Sequence, residues 1–228
     1  MSDFYAKPYG YYSIGSTEGT NNILRIYDYL SAEGYSDEAI IGILGNVVGE
    51  SALNPWLWEG NVVNYSNGYG LFQFTPAREY INASGVPHHA PNTSTSTTVS
   101  GASPDDAYGQ LYCLVTDKFG KWMGYCWRNY WSSSDYPGLY AMHTYILNHY
   151  GSGSYLSMSQ FKNMDDYEYA CFAFLACYEG PAVPNYTTRK NYCDTIAPII
   201  YSYSGRRNNI LLTKRIQDIQ FKRKFNVC

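Results

Sequence analysis

A glutamate at the end of an apolar, helix-like segment is the residue whose chemistry is most distinctive. Glu50 follows the run AIIGILGNVVG (39–49), and helical spacing places Ile43, Asn46 and Val47 on its side. A carboxyl group at the end of an apolar stripe is partly desolvated, and desolvation favours the neutral, protonated form. Such a group can donate a proton to a leaving oxygen, as glycosidic cleavage requires. The alternative is a solvated glutamate at the end of a helix.

Three short motifs give this glutamate a context. They read ILGNVVGESALNP (43–55), GYGLFQFTP (68–76) and YEGP (178–181). This arrangement resembles the phage tail lysozyme family, which is related to goose-type lysozymes and soluble lytic transglycosylases. The family pattern is I-L-G-N-x-x-x-E-S-x-x-N-P, then G-x-G-L-x-Q-W-T-P, then a Tyr-Glu-Arg-Pro element. The resemblance spans about residues 21–198, and the first two motifs together are specific.

The resemblance implies roles for three residues of this chain, and a fourth, Ser51, has two possible roles. Glu50 would be the general acid, and Gln73 would face a cleft and bind sugar or the attacking water. Tyr178 would line the cleft near the bond that breaks. Ser51 would either position Glu50 or form a hydrogen bond at the helix end.

The second and third motifs also contain less decisive positions. Tyr69 and Phe74 would contact the substrate by the same resemblance. Phe74 stands where the family has tryptophan, so it is suited either to stacking on a sugar or to core packing. Gly180 stands where the family often has arginine, a departure that favours loss of activity.

A second carboxylate is needed by both inverting and retaining glycosidases. Glu59 is the nearest candidate, nine residues after Glu50, and the alternative for it is an exposed loop glutamate. For Glu179 we expect a structural role. Lytic transglycosylases need one glutamate alone, so the motifs leave hydrolysis and the anhydro-forming reaction open. His88 and His89 are expected to be a solvated pair, and we predict no metal and no cofactor.

The elements that must position these residues are predicted to form a mainly helical α+β domain, and the resemblance implies a lysozyme-like fold for it. Thr20 and Ser36 are suited to begin the first two helices, and Gly34 to end the first. The run NVVNYSNGYGLFQF (61–74) predicts a small β-hairpin that lines the cleft. Helices are predicted over 21–33, 37–51, 105–119, 139–150, 165–178 and 190–203.

Charge and composition divide the chain into three parts. Residues 1–19 form a Tyr/Gly-rich N-terminal arm, 20–204 the lysozyme-like catalytic domain, and 205–228 a basic C-terminal tail. The tail carries a net charge of +6 and the rest of the chain −9, a balance that argues against nucleic-acid binding. The tail is suited to an acidic partner or an anionic polymer, or is a solvated helix. The 26 tyrosines suit sugar-binding and protein-packing surfaces equally.

Cysteine usage and hydropathy restrict the remaining classes. The six cysteines show no metal-binding spacing, so we expect buried thiols. The N-terminus has neither a basic region nor an apolar region, so we expect no secretory signal peptide, and no stretch is long enough to span a membrane. The end of the chain lies in a charged, helix-like stretch, which is compatible with a longer protein. The cysteines are Cys113, Cys126, Cys171, Cys177, Cys193 and Cys228.

The resemblance, supported by the basic tail and the expected lack of a signal peptide, implies a virion-borne enzyme that opens peptidoglycan at the β-1,4 MurNAc-GlcNAc bond as a phage tail tip reaches the cell wall. Its partners would be bacterial peptidoglycan and neighbouring tail proteins. One alternative is a free endolysin or lytic transglycosylase. Another is a structural tail protein that keeps the fold without the activity.

Overall fold

The structure, a computed structural model, describes residues 3–125, 127–128 and 131–225, with side chains to residue 207. It is built mainly from helices. They are α1 (Thr17–Ala32), α2 (Asp37–Ser51), α3 (Ala77–Ile81), α4 (Asp106–Val115), α5 (Pro137–His149), α6 (Met158–Phe161), α7 (Tyr167–Phe174) and α8 (Tyr186–Phe225). A 3₁₀ turn covers Glu59–Asn61 and a π turn covers Leu175–Glu179.

Helix α2 is the centre of the fold, packed against α1, α7 and α8. The hydroxyl of Ser36 accepts from the backbone N–H of Ala39 (3.1 Å), as the sequence predicts for an N-cap. Ten of its fifteen residues are buried, which matches its apolar sequence. Gly42 and Gly45 lie where α7 and α8 approach, and an added Cβ at Gly42 would be 2.7 Å from the backbone of α7. The helix that carries Glu50 is therefore held by close packing.

The helix predictions are confirmed in outline, with changed ends. Helix α1 begins at Thr17 because Ser16, rather than Thr20, accepts the capping bond from the N–H of Gly19 (3.0 Å). The helix predicted over 165–178 is α7 followed by the π turn, and Gly180 ends it in a left-handed conformation. The helix predicted over 190–203 is one part of the longer α8. The short helices α3 and α6 had no prediction.

The predicted β-hairpin over 61–74 is wrong. Within the described residues the backbone forms no strand there, only one isolated antiparallel bridge between Trp58 and Tyr69. Asn61, Gly70 and Gln73 all have positive φ values (56°, 81° and 41°), and each turn of this kind interrupts a ladder of strand hydrogen bonds. The segment is a compact loop, and it still lines the cleft through Gln73.

The N-terminal segment packs on the helical body. Phe4 is buried, and the side-chain amide of Asn22 in α1 donates to the carbonyl of Tyr5 (2.8 Å). Asn54, which follows α2, donates to the carbonyls of Lys7 and Gly10 (both 3.0 Å). These bonds attach the segment to α1 and to the loop that follows α2.

The cysteine prediction is confirmed where the chain is described. Four of these residues are buried thiols, and Cys126 and Cys228 lie outside the described residues. In the part of the chain that the structure describes, no helix combines the length and apolar character that a membrane span requires. The four buried thiols are Cys113, Cys171, Cys177 and Cys193.

Candidate active site

An open cleft of about 540 Å³ collects residues from all three sequence motifs. Four residues singled out in the sequence, Glu50, Glu59, Gln73 and Tyr178, line it together. The first and second motifs, which are separate in the sequence, therefore meet in the folded protein. The other lining residues are Thr75, Gly120, Lys121, Met123, Arg128, Glu179 and Pro181.

Glu50 lies in the last turn of α2 with 19% of its side chain exposed. Its Oε1 atom accepts a hydrogen bond from Nη2 of Arg189, a buried residue of α8. A second nitrogen of the same guanidinium, Nη1, donates to the backbone carbonyl of Asn46 (3.0 Å). Arg189 thus clamps the C-terminal end of α2 and fixes the Glu50 carboxylate at the cleft. The surroundings of Glu50 are charged as well as apolar, unlike the wholly apolar setting that its helix predicts.

Gly49 makes this clamp possible. An added Cβ at this position would lie 2.7 Å from Nη1 of Arg189, so any larger residue would displace the guanidinium. Sequence reasoning did not find Arg189, since 139 residues separate it from Glu50 and no local pattern links the two. Lys121 and Arg128 are the cationic residues of the cleft lining. Sequence reasoning missed them as well, because they lie outside the three motifs.

Gln73 is oriented by its own loop. Its side-chain nitrogen donates to the carbonyls of Leu57 (3.1 Å) and Gly70 (2.9 Å), and its backbone has a positive φ of 41°. Its carbonyl oxygen lies against Gly68, where an added Cβ would be 2.6 Å away. The amide is therefore held in one orientation at the cleft wall.

A buried polar network anchors this loop to α4. The side-chain oxygen of Gln110 accepts from the N–H of Leu71 (2.6 Å), and its nitrogen donates to Asp106 Oδ2 (2.9 Å). The hydroxyls of Tyr69 (3.2 Å) and Tyr80 also donate to the carboxylate of Asp106. Burial raises the pKa of Asp106 to about 6, because desolvation outweighs these three hydrogen bonds, which lower it.

Tyr178 and Lys121 also line the cleft. The ring of Tyr178 is buried, stacks on Phe174 (4.8 Å between centroids) and meets Phe72 edge-on (6.0 Å). The ammonium of Lys121 lies 5.9 Å from the Tyr178 centroid and 5.2 Å from the Phe74 centroid. Desolvation lowers the pKa of Lys121. A cation is thus held close to the acids of the cleft.

Glu59 is bound to the same loop as Gln73. Its carboxylate accepts from the N–H of Gly68 (2.9 Å), and its own N–H donates to the Gly68 carbonyl (2.9 Å). The residue is exposed and lines the cleft. The structure therefore gives Glu59 a part in holding the loop and places the residue in the cleft lining.

Three residues named with the motifs lie behind the cleft surface. Ser51 is fully buried and its hydroxyl donates to the carbonyl of Val47 (3.1 Å), which is a helix-end hydrogen bond. Tyr69 is fully buried in the Asp106 network. Phe74 is 1% exposed and stacks on Tyr80 (4.9 Å), so its packing is that of a core residue. None of the three reaches the cleft surface, so we assign none of them a substrate contact.

Gly180, which stands where the family's Tyr-Glu-Arg-Pro element has arginine, lies beside Arg128. An added Cβ at Gly180 would collide with the guanidinium of Arg128. Arg128 also lines the cleft. A guanidinium therefore lies beside position 180 although the residue itself is glycine.

Comparisons with known proteins agree with the geometry. The model of the phage tail lysozyme family matches residues 21–200, most of the chain. Over 66 residues the chain is 44% identical to "Morphogenesis protein 1" of Bacillus phage B103, a match that covers 28% of this chain and 18% of that protein.

Proposed function

Because the chain belongs to the phage tail lysozyme family, we propose that it cleaves the β-1,4 MurNAc-GlcNAc bond of peptidoglycan with Glu50 as the general acid. The observation that carries the proposal is the position of Glu50. It lies at the end of a buried helix and opens into one cleft together with Gln73 and Tyr178.

The geometry supports a different role for each of these residues in the proposed reaction. Glu50 protonates the leaving glycosidic oxygen, which makes the bond easier to break. Gln73, whose amide is fixed by two hydrogen bonds, offers its carbonyl to a sugar hydroxyl or to water. Tyr178 and Lys121 form the wall against which the sugar chain lies. The charge that develops on the sugar ring is balanced by the acids of the cleft.

The test compares the purified protein with its Glu50→Gln variant on isolated peptidoglycan. Removal of a general acid lowers turnover by about 10²- to 10⁴-fold. Glu38→Gln is the matched control, since it makes the same change at the other end of α2, outside the cleft lining. Equal release of soluble fragments by all three proteins, or by none of them, would refute the proposal. Binding without cleavage would identify a structural protein instead.

Mass spectrometry of the released fragments then distinguishes the two reactions. Reducing muramic ends indicate hydrolysis by water, and anhydro ends indicate attack by the substrate's own hydroxyl. Glu59 is the proposed second carboxylate for hydrolysis. If it serves that role, Glu59→Gln lowers the yield of reducing ends at least tenfold, whereas a residue that only holds the loop leaves the product type unchanged.

We further propose that the protein acts as part of a phage particle, at the tail tip, with tail proteins as neighbours. The similarity to a phage protein named for morphogenesis supports this placement. The measurement is mass spectrometry and immunogold labelling of purified virions. A protein found in lysates and absent from washed virions would instead be a free endolysin.

A further inference from the structure

Glu179 is a half-buried acid for which the sequence predicts only a structural role. It ends the π turn that follows α7 and lines the same cleft as Glu50. Its Oε1 atom is buried and has no hydrogen-bond partner among the described residues. The carboxylate of Glu50, by contrast, accepts from Arg189. Of the two acids in this cleft, Glu50 therefore has a cationic hydrogen-bond donor, whereas Glu179 Oε1 has no donor among the described residues.

This difference decides where a proton resides. A buried carboxylate oxygen without a donor is unfavourable, whereas the neutral carboxyl group tolerates burial. Glu50 has a guanidinium that stabilises its negative charge. Burial raises the pKa of Glu179 well above its usual range, and the nearby Glu50 carboxylate raises it further.

The charged groups around Glu179 come from several elements. Glu50 on α2 repels a second negative charge, while Arg189 on α8 and Lys121, which follows α4, favour one. Glu79 on α3 is a further acid that favours the charged form of Lys121. Arg189 donates to Glu50, and Lys121 lies over the rings of Phe74 and Tyr178. A third cation of the cleft lining, Arg128, lies beside Gly180 and donates to the sulfur of Met123.

We infer that the two acids of the cleft hold one proton between them in the free protein, and that this proton resides on Glu179 while the Glu50 carboxylate stays bound to Arg189. Two carboxyl groups of one site cannot both ionise without repulsion, so one proton belongs to the pair. This inference rests on the proposed function for its consequence in catalysis, but the protonation of the pair is a property of the protein alone.

The consequence for the proposed reaction is that Glu179 supplies Glu50 with the proton that Glu50 delivers. As the glycosidic bond breaks, its electron pair goes to the leaving oxygen and that oxygen takes the proton of the pair. The sugar cation is captured by water or by the substrate's own hydroxyl. That capture releases one proton, which returns to the pair and restores its starting state. Glu179 is a positioning residue in this scheme, since it acts through Glu50.

A spectroscopic experiment tests the pair without requiring activity. The infrared carbonyl band of a protonated carboxyl group is measured at pH 7 in the wild type and in Glu179→Gln, Glu50→Gln and Glu168→Gln. We expect the band to disappear only in Glu179→Gln and to persist in Glu50→Gln, with its titration moved to lower pH because a like charge has been removed. Glu168→Gln is the control, an acid of α7 that pairs with Lys190 outside the cleft lining. A band unchanged by Glu179→Gln overturns the inference.

A kinetic experiment tests the proton supply. Glutamine has the shape of the neutral carboxyl group, so Glu179→Gln preserves packing but cannot release a proton. We expect a fall in kcat of about 10²-fold, the low end for general acid catalysis, and an alkaline limb of kcat/KM at lower pH. If kcat and the alkaline limb both match the wild type, Glu179 is only structural. If the wild type does not cleave peptidoglycan, the proposed function fails, and the infrared band still decides the pair.

Discussion

Replacement of Asp106 by asparagine changes how the free energy of unfolding depends on pH. Asp106 is fully buried, and its pKa is raised from an ordinary 3.8 to about 6, chiefly by desolvation. Between these two values the folded protein keeps the proton while the unfolded chain has released it. Stability therefore falls as the pH rises through this window.

The magnitude follows from the gap between the two values. One pH unit of difference in pKa corresponds to about 1.4 kcal/mol, so a folded pKa of about 6 against 3.8 in the unfolded chain corresponds to about 3 kcal/mol. The asparagine variant lacks this component. In the wild type the Gln110 nitrogen donates a hydrogen bond to the Asp106 carboxylate (2.9 Å). In the variant an amide group replaces this carboxylate, and the weakened hydrogen bonding lowers the free energy of unfolding by about 1–3 kcal/mol at every pH.

The assay is urea unfolding of wild type and Asp106→Asn at several pH values from about 4 to 7. We expect the stability difference between them to change by about 3 kcal/mol across this range, in favour of the variant at the higher pH. Asp135→Asn, at an exposed position, is the control and should keep the wild-type slope. Parallel curves for wild type and Asp106→Asn would refute the reasoning, because they would mean that Asp106 titrates alike in both states.

Three further substitutions test the geometry of the cleft. Gly49→Ala places a Cβ 2.7 Å from the Arg189 guanidinium, and we expect peptidoglycan cleavage to fall about tenfold or more, because a small misplacement of a catalytic group can cost up to about 100-fold in rate. Gly205→Ala, where the new methyl group contacts nothing, is the control. Unchanged cleavage in both variants would show that the Arg189 clamp is not needed. Gln73→Glu removes the donors to Leu57 and Gly70, so we expect a stability loss of about 1–3 kcal/mol in thermal unfolding together with weaker cleavage; a fully stable variant would count against the loop bonds. Gly180→Arg places a side chain against Arg128 at a backbone position with a positive φ of 53°, so we expect it to destabilise the protein. The double variant with Arg128→Gly should recover the part of the loss that comes from the contact and keep the part that comes from the backbone, whereas strictly additive effects would contradict the contact.

The helix that carries Glu50 shows how far local sequence reaches. Ser36 as N-cap, the acidic first turn and the apolar run determine where α2 begins and that it is buried, because capping and helical periodicity are local properties. The motifs around Gln73 and Tyr178 likewise indicated that they would meet Glu50 in one cleft, as they do. The hairpin prediction failed because propensity does not report the positive φ values at Asn61 and Gln73, which tertiary contacts impose.

The sequence by itself determined the helical character of the chain, the family motifs and the acid at the end of α2. The tertiary structure alone decided which charges surround that acid. Arg189 is 139 residues from Glu50, and Glu179 is a further acid whose burial no periodicity reports. The physical reason is that desolvation and charge pairing depend on which elements pack together, and therefore on contacts between residues far apart in the chain.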